Sequence, residues 1–246
     1  MIIGSGFIHC KEVVSTNTHA SVMIQSDSVT EGTIFYADYQ SGGRGQKGNR
    51  WVSEVGKNLL FSIVLYPVEV HPADQFIMSI FVSLGICDFL KNHIPDSKIK
   101  WPNDIYAGDD KIAGILIENS IISDTIANSI IGIGMNINQE VFPEELPNPV
   151  SLKLITGKDY DLNLCLIQLA RFLDIRYKQV IAGDREIQKK EYIASLYKLN
   201  SWCRFNSSAG FFDGRIVSVA DSGCLKIEDR KGQIREFAFK EIEFCQ

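Results

Sequence analysis

A short glycine-rich segment combines the residue types that bind anions. It runs from Gly42 to Trp51 and contains four glycines and three basic residues, Arg44, Lys47 and Arg50. Glycine lets backbone N–H groups approach a phosphate or carboxylate closely, and the basic side chains add positive charge. Trp51 can stack on a base or pack the end of the segment. A solvated linker is the alternative, but the interleaving of glycine with basic residues favours an anion site.

Two familiar nucleotide-binding motifs do not explain this segment. Gly43, Gly45 and Gly48 match G-x-G-x-x-G, but a dinucleotide-binding fold requires a helix to begin at those glycines. Residues 58–66 follow instead, and their apolar run predicts a strand. The chain also contains no G-x-x-x-x-G-K-[ST] sequence. An ATP site here would therefore not be a P-loop.

A second segment brings an acid and a lysine close together in the chain. Residues 100–104 read Lys-Trp-Pro-Asn-Asp, and residues 111–118 read Lys-Ile-Ala-Gly-Ile-Leu-Ile-Glu. The intervening Gly-Asp-Asp sequence at 108–110 predicts a turn, so that Asp104 opens a hairpin and Lys111 begins its return strand. Taken alone, Lys111 is more simply an exposed turn lysine, and Trp101 with Pro102 could serve packing only.

Two further segments are ambiguous by themselves. Residues 132–136, Gly-Ile-Gly-Met-Asn, predict a buried strand whose glycines let another chain segment or a ligand come close. Ser15, Thr16 and Asn17 are most simply the N-cap of a helix. Neither segment decides a function.

The remaining pattern shows which elements must position these residues. We predict helices at 15–25, 72–90, 162–180 and 185–198, strands at 33–38, 58–66, 98–101, 105–118 (a hairpin) and 129–136, and a Pro-rich loop at 142–150. From about Ser201 the segments 211–219, 224–228 and 234–239 are short strands joined by glycine turns, which predicts a small β-barrel. We therefore expect two domains, 1–198 and 199–246.

The composition argues against several classes of protein. Of the residues, 45% are hydrophobic and 22% are charged, and the net charge is −5. This balance fits a globular core and does not favour a nucleic-acid partner. No apolar run suggests a membrane span, and the first residues lack the pattern of a secretory signal. The cysteines and histidines are scattered without zinc-site spacing, so we expect reduced thiols, no metal held by the protein alone, and a cytoplasmic location.

Together and in this order, these segments resemble the catalytic domain of biotin protein ligases. The matching residues are Ser15-Thr16-Asn17, Tyr39-Gln40, Gly43-Arg44-Gly45 with Trp51, 100–104, 111–118 and 132–136. The resemblance spans about residues 13 to 138, and the tail is similar to the family's SH3-like C-terminal domain. The implied fold is α/β (α+β): a mixed, largely antiparallel sheet flanked by helices, like that of class II aminoacyl-tRNA synthetases, plus a small SH3-like β-barrel.

The resemblance also implies an activity in two steps. Biotin and MgATP give biotinyl-AMP and pyrophosphate, and biotin then passes to a lysine of a biotin carboxyl carrier domain. The implied catalytic residues are Lys111, Arg44 and Asp104. The implied biotin-binding residues are Ser15, Thr16, Asn17, Gln40, Gly43, Arg44, Gly45, Gln46, Lys111 and Gly114. The implied ATP-binding residues are Arg44, Lys47, Arg50, Trp51, Asn103, Lys111 and Asn136. Magnesium would be bound mainly through ATP, and residues 41–51 would close over the intermediate.

Two departures from the family pattern qualify this expectation. Gln46 and Asn49 stand where many bacterial relatives carry arginine. The Ser-Thr-Asn motif begins at residue 15, which leaves no room for the helix-turn-helix domain of repressor-type members, so we expect a monofunctional ligase that does not bind DNA. The alternatives are a lipoate protein ligase, separated by biotin–lipoate competition, and a biotin-sensing DNA-binding regulator, tested by gel shift. The acceptor, and the choice between monomer and homodimer, stay open.

Overall fold

The computed structural model describes residues 1–26 and 28–245, except for the side chain of Lys47. Within that part of the chain there are five α-helices: α1 Thr16–Ser26, α2 Phe76–Leu90, α3 Leu152–Thr156, α4 Leu162–Ala182 and α5 Arg185–Ala194. The same residues form twelve strands: β1 Phe7–Val13, β2 Ile34–Gln40, β3 Leu59–Leu65, β4 Lys98–Lys100, β5 Asp104–Ala107, β6 Asp110–Ile122, β7 Thr125–Met135, β8 Trp202–Ser207, β9 Gly210–Val219, β10 Leu225–Asp229, β11 Ile234–Phe237 and β12 Ile242–Phe244. Short 3₁₀ turns occupy Gln46–Gly48 and Pro72–Asp74.

The first sheet has seven strands in the order β1-β2-β3-β7-β6-β5-β4. Only the pair at one edge, β1 with β2, is parallel, and the other neighbours are antiparallel. This arrangement confirms the predicted mixed, largely antiparallel sheet with helices packed on it.

The two faces of this sheet carry different layers. On one face α2 packs between the sheet and the helices α4 and α5, and nearly all its residues are buried. By length and composition alone the segment Pro72–Leu90 could cross a membrane, but 67% of its most apolar window is buried in the protein. A core helix shows the same uniform apolarity. On the other face α1 packs through Ala20 against Phe35, Val64 and Ile130.

Ion pairs between partly buried side chains connect the helices α2, α4 and α5 behind the sheet. Nε of Arg176 on α4 lies 2.7 Å from Oδ2 of Asp88 on α2, and a second guanidinium nitrogen reaches Glu191 on α5. Burial by itself would raise the pKa of Asp88, but hydrogen bonds from Arg176 and Lys91 outweigh it and lower that pKa. The network fixes the layer against which the sheet rests.

The second sheet is antiparallel, with its five strands in the order β11-β10-β9-β8-β12. It packs against the first sheet at the turn after β4, where the indole N–H of Trp101 donates to the carbonyl of Gly223 at 2.9 Å. One continuous apolar core extends through both sheets. All five strands fall within residues 199–246, while closure into an SH3-like barrel and the division into two domains stay predictions.

Several elements differ from those predicted, each for a physical reason. Strand β1 was not predicted because it is an exposed edge strand without regular apolar alternation. Strands β8 and β12 and helix α3 were also missed. The hairpin predicted at 105–118 turns where expected, but β6 continues to Ile122 and pairs with β7. Helix α5 ends at Ala194, not Lys198, because the next residues exchange backbone hydrogen bonds with Ile99.

Candidate functional site

The four segments singled out by their sequence line one cavity of about 400 Å³. It lies on the face of the first sheet that also carries α1. Its walls are the start of α1, the glycine loop (residues 42–51), the turn at 100–104, and the facing residues of β6 and β7. The second sheet contributes Phe205, Leu225, Phe239, Lys240, Ile242, Glu243 and Phe244.

The start of α1 forms a buried polar cradle. The backbone N and the Oγ1 of Thr16 lie 2.8 and 3.1 Å from Oε1 of Gln40, to which both can donate. The side-chain amide of Asn17 donates to the carbonyl of Leu116. Beneath them Oγ of Ser62, on β3, lies 2.7 Å from Thr16 Oγ1 and 2.6 Å from Asn17 Oδ1. Because Ser15, Thr16 and Asn17 are all buried, this polar group is held in one geometry.

Glycines on β6 and β7 make room for the side chains that cover the sheet. A Cβ on Gly132 would lie 2.3 Å from Asn17 Oδ1. Gly114 and Gly134 face each other across the two strands, and a Cβ on either would come within 3 Å of the Trp51 ring. The indole therefore lies against bare backbone, and its N–H meets no acceptor among the described residues. These glycines explain why a buried strand carries so little side-chain volume.

The glycine loop is itself folded as a small hairpin. Residues Arg44 and Arg50 form an isolated antiparallel bridge. Gly45 N donates to Asn49 O at 2.7 Å, and Trp51 N donates to Gly43 O at 3.0 Å. The fold of the loop thus delivers Arg44 and Trp51 to the cavity together.

Two of the basic residues that line the cavity, Arg44 and Lys111, are each paired with a carboxylate. Nη2 of Arg44 lies 2.7 Å from Oε2 of Glu118, and Nζ of Lys111 lies 2.7 Å from Oδ1 of Asp104. The Lys111 ammonium is also 5.7 Å from the Trp51 ring centroid. Because the Arg44 and Glu118 side chains are both more than a third exposed, their pair is worth only about 0–1 kcal/mol. The Lys111–Asp104 pair is less exposed, at 32% and 21%. An anionic ligand can therefore readily replace Glu118 as the partner of Arg44.

The structure brings most of the predicted site residues to this cavity. Those that line it are Ser15, Thr16, Asn17, Gln40, Arg44, Gly45, Gln46, Arg50, Trp51, Asn103, Asp104, Lys111 and Gly114. Gly43 is set back and holds Trp51 by its carbonyl. The side chain of Lys47 lies outside the described part of the structure.

Asn136 has a different environment from the other predicted residues. Its side-chain amide is buried and donates to the carbonyl of Val150 at 3.0 Å. The backbone N of Lys111 in turn donates to Asn148 O, and Val150 N donates to Lys111 O. Asn136 thus supports the strand that carries Lys111, and its contact with adenosine stays a prediction.

Three kinds of site residue were not predicted from the sequence. Ser62 is one, although a serine in the middle of the apolar strand 59–65 was a visible signal. Glu118 was noted only as part of a motif and now proves to be the partner of Arg44. The residues of the second sheet carried no signal, because their position depends on how the tail folds back. Among the described residues, no group of three or more His, Cys, Asp or Glu side chains could hold a metal ion.

Comparison with known proteins agrees with this geometry. Residues 10–136, just over half of the chain, match the family model described as the Biotin/lipoate A/B protein ligase family. The bifunctional ligase/repressor BirA of Bacillus subtilis is 27% identical over 98% of this chain and 75% of its own length. The biotin–[acetyl-CoA-carboxylase] ligase of Mycobacterium tuberculosis is 28% identical over 72% of this chain and 66% of its own length.

Solved structures show the same likeness in three dimensions. The biotin protein ligase from Aquifex aeolicus, solved in complex with biotin and ATP, has a TM-score of 0.81 and 28% identity, and the match covers 98% of this chain and 99% of that one. The likeness therefore extends beyond the family model into the second sheet. With its fold, its motifs and its cavity in agreement, the chain belongs to the biotin/lipoate A/B protein ligase family.

Proposed function

We propose that the protein is a biotin protein ligase. It activates biotin with ATP to biotinyl-5′-AMP and releases pyrophosphate, and a lysine of a biotin carboxyl carrier domain then displaces AMP and becomes biotinylated. One observation carries the proposal: Arg44 and Lys111 line a single cavity beside a buried polar cradle. A carboxylate and a phosphate that must react there are both anions, and both cations are needed to bring them together.

The cradle suits the ureido ring of biotin. That ring presents two N–H donors and one carbonyl acceptor, and Ser15, Thr16, Asn17 and Gln40 offer both kinds of partner. The apolar stem of biotin would then run over Leu116 and the glycines of β6 and β7. Gly43, Gly45 and Gln46 would close over it from the loop. A pocket that combines an apolar floor with a few placed polar groups is typical of small-molecule sites.

The first step needs charge neutralisation above all. The biotin carboxylate and the α-phosphate of ATP repel each other strongly in a cavity that excludes water. Arg44 and Lys111 would neutralise both anions and stabilise the charge that develops on the phosphoryl oxygens. Mg²⁺ bound to the nucleotide would neutralise part of the triphosphate charge. Arg50, Trp51 and Asn103 would bind the rest of the nucleotide, with Lys47 and Asn136 as further predicted contacts.

The second step needs a group that accepts a proton. A lysine amine near its usual pKa of about 10.4 is mostly protonated at neutral pH, and only the neutral amine attacks the adenylate. Asp104 is our candidate to orient or deprotonate it. Nζ of Lys111 lies 2.7 Å from Oδ1 of Asp104. When a substrate phosphate binds Lys111, the Asp104 carboxylate becomes free to contact the acceptor amine. Asp104 therefore acts in the second step only after the first step has begun.

A cytoplasmic location is part of the proposal. All six cysteines, which lie within the described residues, are free thiols. Burial raises the pKa of Cys87 and of Cys165 to about 11 in each case, so both thiols are unreactive at neutral pH. Free thiols are typical of proteins in a reducing compartment.

The direct test is to mix the protein with biotin, MgATP and a biotin carboxyl carrier domain. We expect the carrier to gain the mass of one biotinyl group, which intact mass spectrometry would show. The family includes lipoate ligases, so the same mixture with lipoate in place of biotin is the control. Modification by lipoate but not by biotin would contradict the proposal.

Replacing Lys111 by alanine should abolish most adenylate formation. Loss of one preorganised cation at a developing negative charge typically costs about 10²–10³-fold in rate. Biotin-dependent exchange of pyrophosphate into ATP measures this step directly. Lys91→Ala, which removes an exposed lysine just after α2 that also pairs with an aspartate, is the matched control. A near-normal exchange rate in Lys111→Ala would remove Lys111 from the chemistry.

Replacing Asp104 by alanine should slow the transfer step more than the first step. Loss of a general base typically costs about 10²–10⁴-fold, and transfer can be followed from pre-formed biotinyl-AMP to the carrier domain. Asp124→Ala, at the exposed turn between β6 and β7, is the control. An equal loss in exchange and in transfer would show that Asp104 only supports Lys111.

Replacing Ser62 by alanine should weaken both the fold and biotin binding. The change removes the hydroxyl that bonds Thr16 Oγ1 and leaves the buried Asn17 Oδ1 without its donor, at a cost of about 1–3 kcal/mol in the free energy of unfolding. Urea unfolding and titration calorimetry with biotin measure the two effects. Ser83→Ala is the control because Oγ of Ser83 is buried without a partner among the described residues. Unchanged biotin affinity would limit Ser62 to a role in stability.

A further inference from the structure

We propose that Glu118 is a positioning residue for Arg44. Its carboxylate is the resident counter-ion that keeps the glycine loop over the cavity until a substrate anion takes over the guanidinium. The proposal rests on the proposed function for the identity of that anion. The contact itself is present in the structure.

A single oxygen of Glu118 joins the loop to the cradle. Oε2 accepts from Nη2 of Arg44 and from Nδ2 of Asn17, both at 2.7 Å. Asn17 is almost fully buried and is also held by Ser62. The carboxylate is therefore fixed in place by the cradle, while Arg44 belongs to the loop. The hydrogen bond between Glu118 and Arg44 therefore connects the rigid cradle to the projecting glycine loop.

The position of Glu118 on its strand explains why it can make this link. Side chains alternate between the two faces of a strand, so Gly114, Leu116 and Glu118 share the cavity face of β6. Gly114 and Leu116 make this part of the cavity floor apolar, and the Glu118 carboxylate lies at its end. No charge other than that of Arg44 is shown in contact with it among the described residues.

Besides its own hairpin and the backbone hydrogen bond from Gly42 N to Val14 O, two side-chain contacts among the described residues hold the loop to the sheet. Arg44 binds Glu118 near the start of the loop, and Trp51 packs against Gly114 and Gly134 at its end. The indole contact does not depend on charge. The ion pair does, and so it is the contact that an anionic ligand can exchange.

The exposure of the ion pair makes exchange favourable. The Arg44 and Glu118 side chains are 45% and 39% exposed, and ion pairs this accessible to water are weak. A substrate that presents a carboxylate and phosphates offers the guanidinium several oxygens at once, and such charge-assisted contacts are stronger. Arg44 therefore passes from Glu118 to the substrate, and the influence of Glu118 is greatest before any ligand binds.

The test compares the glycine loop in Glu118→Gln and in the unchanged protein by limited trypsin digestion. Trypsin cleaves after Arg44, Lys47 and Arg50, so the cleavage rate reports how often the loop leaves the sheet. The amide keeps the length of the side chain and an acceptor for Asn17 but removes the charge. We expect ligand-free cleavage to be about two- to fivefold faster, the effect of losing one exposed ion pair.

Two further comparisons identify the cause as charge. Higher salt should speed cleavage of the unchanged protein towards that of the variant, because salt screens an exposed ion pair. The variant itself should change little. Glu228→Gln is the matched control, since Glu228 is also a strand carboxylate that pairs with an arginine, Arg215, but in the second sheet. It should leave cleavage in the loop unaltered.

Biotin with MgATP completes the experiment. The mixture should protect the loop equally in both proteins, because the substrate anions replace Glu118. Equal cleavage rates without ligand, or faster cleavage of the variant that persists with ligand, would overturn the role of Glu118. If the mixture fails to protect even the unchanged protein, the proposed function is contradicted, whereas a ligand-free difference would still support Glu118 as the anchor of Arg44.

Discussion

Three glycines in the sheet floor are the constraint on which the site depends. Gly114, Gly132 and Gly134 lie on one face of β6 and β7, where any Cβ would collide with Asn17 or Trp51. The space left by these glycines lets the start of α1 and the end of the glycine loop both reach the same strip of backbone. Without it, the cradle and the loop could not share one cavity.

Both cations assigned to the first step have a carboxylate partner. Arg44 is paired with Glu118, and Lys111 with Asp104. Paired charges are easier to hold in a partly closed cavity than unpaired cations. They also leave the site ready for exchange, because each carboxylate gives way to a substrate anion of the same sign. When a substrate anion binds, each cation therefore exchanges one negatively charged partner for another.

The second sheet contributes one wall of the cavity. Trp101 donates to the carbonyl of Gly223, and a Cβ on Gly223 would lie 2.5 Å from the Phe76 ring at the start of α2. This close packing holds the second sheet against the turn that ends at Asp104. The tail then supplies apolar side chains such as Phe205 and Phe244 to one wall. The residues that close the site thus lie far in sequence from those proposed to perform the chemistry.

The sequence by itself determined the family, the main sheet and most of the residues that line the cavity. Local patterns sufficed there: apolar runs in β3, β6 and β7, glycine spacing in the loop, and an acid and a lysine on adjacent strands of one hairpin. Only the tertiary structure decided the roles of Ser62, Glu118, Asn136 and the second sheet. Each of these depends on a contact between segments distant in the chain, and the free energy of such contacts comes from packing and pairing that no local pattern records.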